Sequence, residues 1–176
     1  NTLEALRTGQ ARIRSMALLH QRLYQGEQLK DIPMSPYLTE LSQSLLDAYR
    51  VDEDRIRFRT EIEPIDLDVD TAIPLGLIAN ELMTNALKYA FPEDRSGEIL
   101  LSLKKTDHGF ALQVSDNGIG MKLSKGKPAA GRNTYGLELV ESLAQKLNGQ
   151  LVFSNGKGTR TTLTAPIFLQ PVVTPA

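Results

Sequence analysis

Apolar residues recur at helical spacing at the front of the chain, through Leu3, Leu6, Ile13, Met16 or Ala17, and His20 or Leu23, until Gly26 interrupts. That spacing predicts one long helix from about Thr2 to Gln25. Ser35 with Pro36 behind it suits an N-cap and first turn, and Leu38, Leu41, Leu45 and Tyr49 predict a second helix to about Arg50. Ile56, Phe58 and Thr60 then alternate with Arg55, Arg57 and Arg59, the pattern of a half-buried strand whose arginines form a solvated face. Leu75, Ile78, Ala79, Leu82, Met83, Ala86, Leu87 and Ala90 cover most of one arc of a third helix, which Thr71 can cap, with Pro74 in its first turn. Ile99, Leu101 and Leu103, the turn Asp107-His108-Gly109, and Phe110, Leu112 and Val114 predict an antiparallel hairpin whose second strand delivers Asp116. From Asn117 to Asn133 the hydrophobic period vanishes and Gly, Lys, Ser and Pro dominate, as in a long functional loop. Leu137, Val140, Ala144 and Leu147 restore a helix that stops at Asn148-Gly149, and strands from Gln150 to Ser154 and Thr159 to Ala165 flank an Asn155-Gly156 turn.

With 176 residues and 41% hydrophobic content, the chain can bury one core and carry a helical appendage. A formal net charge of -1 supplies no basic field for tracking nucleic acid, so DNA and RNA binding are disfavoured. The absence of cysteine excludes disulfides, thiolate zinc sites and thiol catalysis, and fits a reducing cytoplasm. No apolar run approaches a membrane span, and the start, Asn1-Thr-Leu-Glu-Ala, has neither a basic region nor a signal-peptide core. A cytoplasmic location is expected, with any membrane anchor outside these residues.

The third helix also carries a polar stripe. At about 100° per residue, Glu81, Asn85 and Lys88 fall within roughly 60° of one another, so a carboxylate, a carboxamide and an ammonium project from one side. About thirty residues later comes Asp116-Asn-Gly118-Ile-Gly120. Together they point to a magnesium nucleotide site. A carboxylate at a strand end can accept a hydrogen bond from the adenine amino group, which suits Asp116. Gly118 and Gly120 allow close backbone approach and positive φ. Asn85 offers a hard oxygen for magnesium, Lys88 can neutralise phosphate, and Glu81 can orient or deprotonate a nucleophile. Tyr89 and Phe91 are candidates either to line the adenine pocket or to pack the helix end. A second glycine element, Gly131-Arg-Asn-Thr134-Tyr-Gly136-Leu137, closes the long loop and opens a helix whose free N–H groups favour phosphate. Neither a Walker P-loop nor a strand-linked G-x-G-x-x-G is present.

In order, the boxes N-E-L-M-T-N-A-L-K-Y-A-F, D-N-G-I-G, Y-G-L-E-L-V and G-K-G-T-R-T-T-L resemble the ATP-binding fold shared by gyrase, heat-shock chaperone ATPases, histidine kinases and mismatch-repair ATPases, called GHKL. Within it they look most like a bacterial sensor histidine kinase. The stretch from Ala11 to Tyr24 is similar to the second dimerisation helix of the subfamily with an H-R-V-K-N-N-type phosphoacceptor box. The resemblance implies a two-layer α/β sandwich preceded by helices, divided into a dimerisation helix and linker (1–33), an ATP-binding catalytic domain (34–167) and a tail (168–176). It also implies ATP and Mg2+ as cofactors, Glu81 as catalytic base, Asn85 as magnesium ligand, Lys88 as phosphate contact, Asp116 as adenine reader and Thr159 as a water-mediated partner near the base. Thr134, Gly136 and Leu137 belong to the implied nucleotide cover. The acceptor histidine is expected before Asn1, since neither His20 nor His108 sits in such a box. Implied partners are the kinase's own phosphoacceptor helix, a response regulator and a second copy of the chain. Two alternatives share these boxes: an ATPase in which Glu81 activates water, and an anti-sigma-like module whose nucleotide-dependent surface holds a protein.

Overall fold

The computed structural model describes residues 31–124, 126–128 and 134–167, and places residues 9, 10, 13, 17 and 21 in helix. The expected first helix is represented at those positions, while His20, Gly131, Arg132, Asn133 and the 168–176 tail lie outside the described residues. The elements run β1 (Asp31–Pro33), α1 (Met34–Tyr49), β2 (Ile56–Ile62), β3 (Asp66–Asp68), α2 (Val69–Tyr89), β4 (Gly97–Thr106), β5 (Gly109–Asp116), β6 (Leu123–Ser124), β7 (Lys127–Pro128), α3 (Thr134–Lys146), β8 (Gln150–Asn155) and β9 (Thr159–Pro166). Five strands form one sheet in the order β2-β4-β5-β9-β8, with β2 parallel to β4 and the other pairs antiparallel.

Register explains the layering. Ile99 pairs with Asp116, Leu101 with Val114 and Leu103 with Leu112, and the row continues to Thr161, Leu163 and Ala165 on β9. These residues share one face of the pleat, and apart from Asp116 they are buried beneath the helices. The alternate face carries Arg59, Glu61, Glu98 and Lys104, joined in exposed ion pairs of 3.4 to 3.6 Å. The arginines of β2 are therefore the solvated face expected of them. The result is a two-layer α/β sandwich with α2 central, α1 and α3 beside it, and the core between helices and sheet.

Local chemistry moves some boundaries. The cap of α2 is Asp68, not Thr71: its carboxylate accepts from the Thr71 N–H at 3.0 Å and the Thr71 hydroxyl at 2.9 Å. Pro74 consequently lies inside the helix, where the carbonyl of exposed Asp70, left without its intrahelical donor, can turn to water. In α1 the helix begins at Met34, Pro33 takes the cap position, and the Met34 N–H donates to Ile65 O at 2.9 Å. Segment 31–33, expected as linker, is β1 and pairs antiparallel with β3. Three residues are too few to show a period. Within the long loop, β6 and β7 form a short hairpin around Gly126, whose φ is +75°. Among the described residues, no helix is long and apolar enough to cross a membrane.

Candidate nucleotide site

Helix α2 positions the polar stripe. Glu81 is 1% exposed and Asn85 9% exposed, so the stripe is not a solvated face. Burying a carboxylate and a carboxamide in a helix that has ample alanine and leucine is unfavourable unless partners compensate, which makes the stripe a candidate for chemistry as well as for packing. Lys88 and Tyr89 follow at the half-buried end of the helix. Thr84, on the neighbouring line of the same helix, is also buried, and among the described residues its hydroxyl has no hydrogen-bond partner.

The far end of α2 is stitched to the loop that leaves β5. The Ile119 N–H donates to Ala90 O at 3.0 Å, and a Cβ on Gly118 would stand 2.2 Å from that same carbonyl oxygen. Gly118 is thus glycine because the helix end presses on it. Gly120, with φ of +78°, is the glycine that turns the chain. Along the helix axis Asn85 precedes Ala90 by about 7.5 Å and Glu81 by about 13.5 Å, at about 1.5 Å per residue. On the axis the amide and the acid thus stand about one and a half and two and a half turns before the point where the Asp116–Gly120 loop meets the helix end.

Asp116 ends β5 on the helix side of the sheet. Its Oδ1 accepts from the Gly118 N–H at 2.9 Å and the Thr159 N–H at 3.1 Å. Burial pushes its carboxyl above the ordinary aspartate value, while these two N–H groups, the Arg95 charge and the Thr159 side chain pull against that rise. Gly158 allows the arrangement, because a Cβ there would stand 2.2 Å from Asp116 O. Thr159 is placed beside the carboxylate. Gly136 is buried and Leu137 half-buried near the start of α3, which opens at Thr134. Phe91 packs over the Gly97 backbone and is 6% exposed, so it closes the helix end against β4.

A cleft of about 290 Å³ also touches Asp116 and Thr159. Leu100, Ser115, Arg160 and Ser154 line it, and the register puts them in one cross-strand row on the face away from the helices. Glu81, Asn85 and Lys88 do not line it, so this cleft is the outer side of the wall behind Asp116.

Three supporting residues escaped the sequence. Asn117 holds the loop to β4, its Oδ1 accepting from the Glu98 N–H at 2.7 Å and its carbonyl from Arg95 Nη2 at 3.3 Å. Gly158 was visible in the G-K-G-T box but gained its reason only from Asp116. Asn155 was legible as a turn residue and also bonds Met121 across the loop.

Comparison with known proteins agrees with this fold. The family model described as "Histidine kinase-, DNA gyrase B-, and HSP90-like ATPase" matches residues 70–169, and one described as "Histidine kinase" matches residues 1–49. Blue-light-activated histidine kinase 2 of Erythrobacter litoralis is 28% identical over 167 residues, covering 90% of this chain and 46% of that protein. Sensor histidine kinase YdfH of Bacillus subtilis is 36% identical over 104 residues, 57% of this chain and 24% of that one. The solved histidine kinase domain from the Erythrobacter litoralis EL346 blue-light activated kinase superposes with a TM-score of 0.80 at 24% identity, covering 91% of this chain and 75% of that one. The chain spans less than half the length of these curated relatives.

Proposed function

Because the chain belongs to the histidine kinase-, DNA gyrase B- and HSP90-like ATPase family, we propose that it is the ATP-binding catalytic part of a sensor histidine kinase of a two-component system. The observation that carries this is the buried acid and amide of α2 on a helix whose end is stitched to the Asp116–Gly120 loop.

In this reading Asp116 accepts the adenine amino group, Thr159 supports the base beside it, and Gly118 and Gly120 form the floor beneath. Asn85 contributes its amide oxygen to Mg2+, and Lys88 together with the start of α3 at Thr134, Gly136 and Leu137 faces phosphate. The donor set fits a magnesium ion that arrives with its nucleotide: one hard amide oxygen at Asn85 would leave the remaining positions to phosphate and water. Bound magnesium would screen charge on the triphosphate. Glu81 orients the incoming imidazole and takes its proton, while positioning supplies most of the rate. The acceptor histidine is contributed by the dimerisation helices of the kinase, and a response regulator is the eventual recipient.

Magnesium-dependent ATP binding by this chain, measured beside Asn85→Ala and Asp116→Ala, tests the reading. Each variant should lose about 10-fold or more in affinity, about 1.4 kcal/mol per tenfold. Adenosine binding should survive Asn85→Ala and not Asp116→Ala. A parent chain that does not bind Mg-ATP refutes the proposal, and steady phosphate release would move it to a hydrolysing ATPase.

A further inference from the structure

The loop that leaves β5 is fixed at its start by Asp116 and Ala90, which hold Gly118 and Ile119. It then turns at Gly120, φ +78°, the position with the most backbone freedom. The next residue is gripped from the other side of the molecule. Met121 N–H donates to Asn155 Oδ1 at 3.3 Å, and Asn155 Nδ2 donates to Met121 O. One carboxamide thus engages both backbone groups of one residue, as a neighbouring strand would. Among the described residues no other hydrogen bond holds Met121. Asn155 ends β8 and is paired in register with Thr159, so its own backbone is anchored beside the residue that donates to Asp116. Downstream of Met121, β7 runs close to β8, continuing the same attachment.

We propose that Asn155 is a positioning residue for the nucleotide: its side-chain amide fixes the chain just beyond Gly120 and so sets where that chain leaves the base pocket on its way to β6 and β7. This rests on the nucleotide reading above. The chemistry is specific to the amide. An alanine offers neither group, and an aspartate keeps the acceptor for the Met121 N–H but turns a negative oxygen toward the Met121 carbonyl. Asn155 is exposed and Met121 half-buried, so the contact contributes little to global stability. Asp116, held by Gly118 and Thr159, keeps its geometry without it.

The test uses the full 176-residue chain with Asn155→Ala and Asn155→Asp, measuring Mg-ATP and adenosine affinity, thermal midpoint and Met121 amide exchange. Expected are faster Met121 exchange in Asn155→Ala, Mg-ATP affinity about 3- to 10-fold weaker in both variants, adenosine affinity within about 2-fold of the parent, and a midpoint within about 2 °C. Unchanged Mg-ATP affinity in both variants overturns the proposal. So does an equal loss for ATP and adenosine with a lowered midpoint, which would make Asn155 merely structural. A parent that fails to bind Mg-ATP sinks the nucleotide reading as well, whereas a binding parent with unaffected variants sinks this one alone.

Discussion

At position 116 one carboxylate meets two opposed demands. Desolvation at the strand end favours its protonated form, so the pKa is raised in the folded chain. A raised folded pKa means that the group's favourable contribution to stability is complete below the ordinary value of 3.8 and is lost as pH rises through the folded value. Ionised Asp116 therefore works against stability at neutral pH, while the proposed adenine recognition is served best by the ionised group, which only accepts. Asp116→Asn keeps an oxygen for the Gly118 and Thr159 N–H groups and removes the buried charge, so thermal melting at neutral pH should show a midpoint equal to or above the parent's while ATP affinity drops. A clearly lowered midpoint would contradict this. In the parent, ATP affinity should weaken as pH is lowered through the mildly acidic range above 3.8, and calorimetric titrations at stepped pH should find the Asn variant flat over the same interval. Residues such as Asp116 and Asn85 were legible because their residue type and spacing carry the chemistry. Asn155 was not, since its contact joins backbone 34 positions away and depends on how the edge hairpin folds back.

Helix α2 links the site to the rest of the fold through its other faces. Ser42 on α1 donates to Leu38 O at 2.7 Å and lies 3.6 Å from Met83 S, and one helical turn and more earlier the Tyr37 ring fills the space over Gly76. A Cβ on Gly76 would stand 2.0 Å from Tyr37 Oη, and Tyr37 is fully buried. Gly76→Ala must expel or displace the ring, and overpacking of this kind costs about 1–3 kcal/mol. Chemical denaturation should show a lower midpoint by that amount with an unchanged slope, and a neutral result would mean that the α1–α2 seam yields easily. The same helix shows what the sequence could carry. Its length, apolar arc and polar stripe followed from periodicity, as did both hairpins with their turns at Asp107–His108 and Asn155–Gly156. Its true start did not, because Asp68 competes with Thr71 for the cap and wins through two bonds made at once. The parallel pairing of β2 with β4 was also hidden, since the long connection between them, through α2, leaves no local turn signature.

Across the described part of the molecule, the site and His108 are separated by the fold. His108 sits in the exposed turn between β4 and β5, whereas Asp116 closes the opposite end of β5, about 24 Å away at about 3.4 Å per strand residue. Fully buried Leu103 and Phe110 stand at the His108 end of that hairpin, covered on the helix side. His20, the other histidine, was expected on an interface stripe of the dimerisation helix rather than in a phosphoacceptor box. In the proposed reading, phosphoryl transfer uses an imidazole brought to the polar edge of α2 by the dimerisation helices. Incubated with Mg-ATP, this chain should bind nucleotide with about one equivalent per site yet accumulate no acid-labile phosphate, and His108→Gln should leave binding unchanged. Adding a segment that carries the acceptor histidine and its helix should restore phosphorylation, on the added segment and in proportion to complex formation. Stoichiometric acid-labile phosphate on the chain alone, abolished by His108→Gln or His20→Gln, would place the acceptor within it and overturn this expectation.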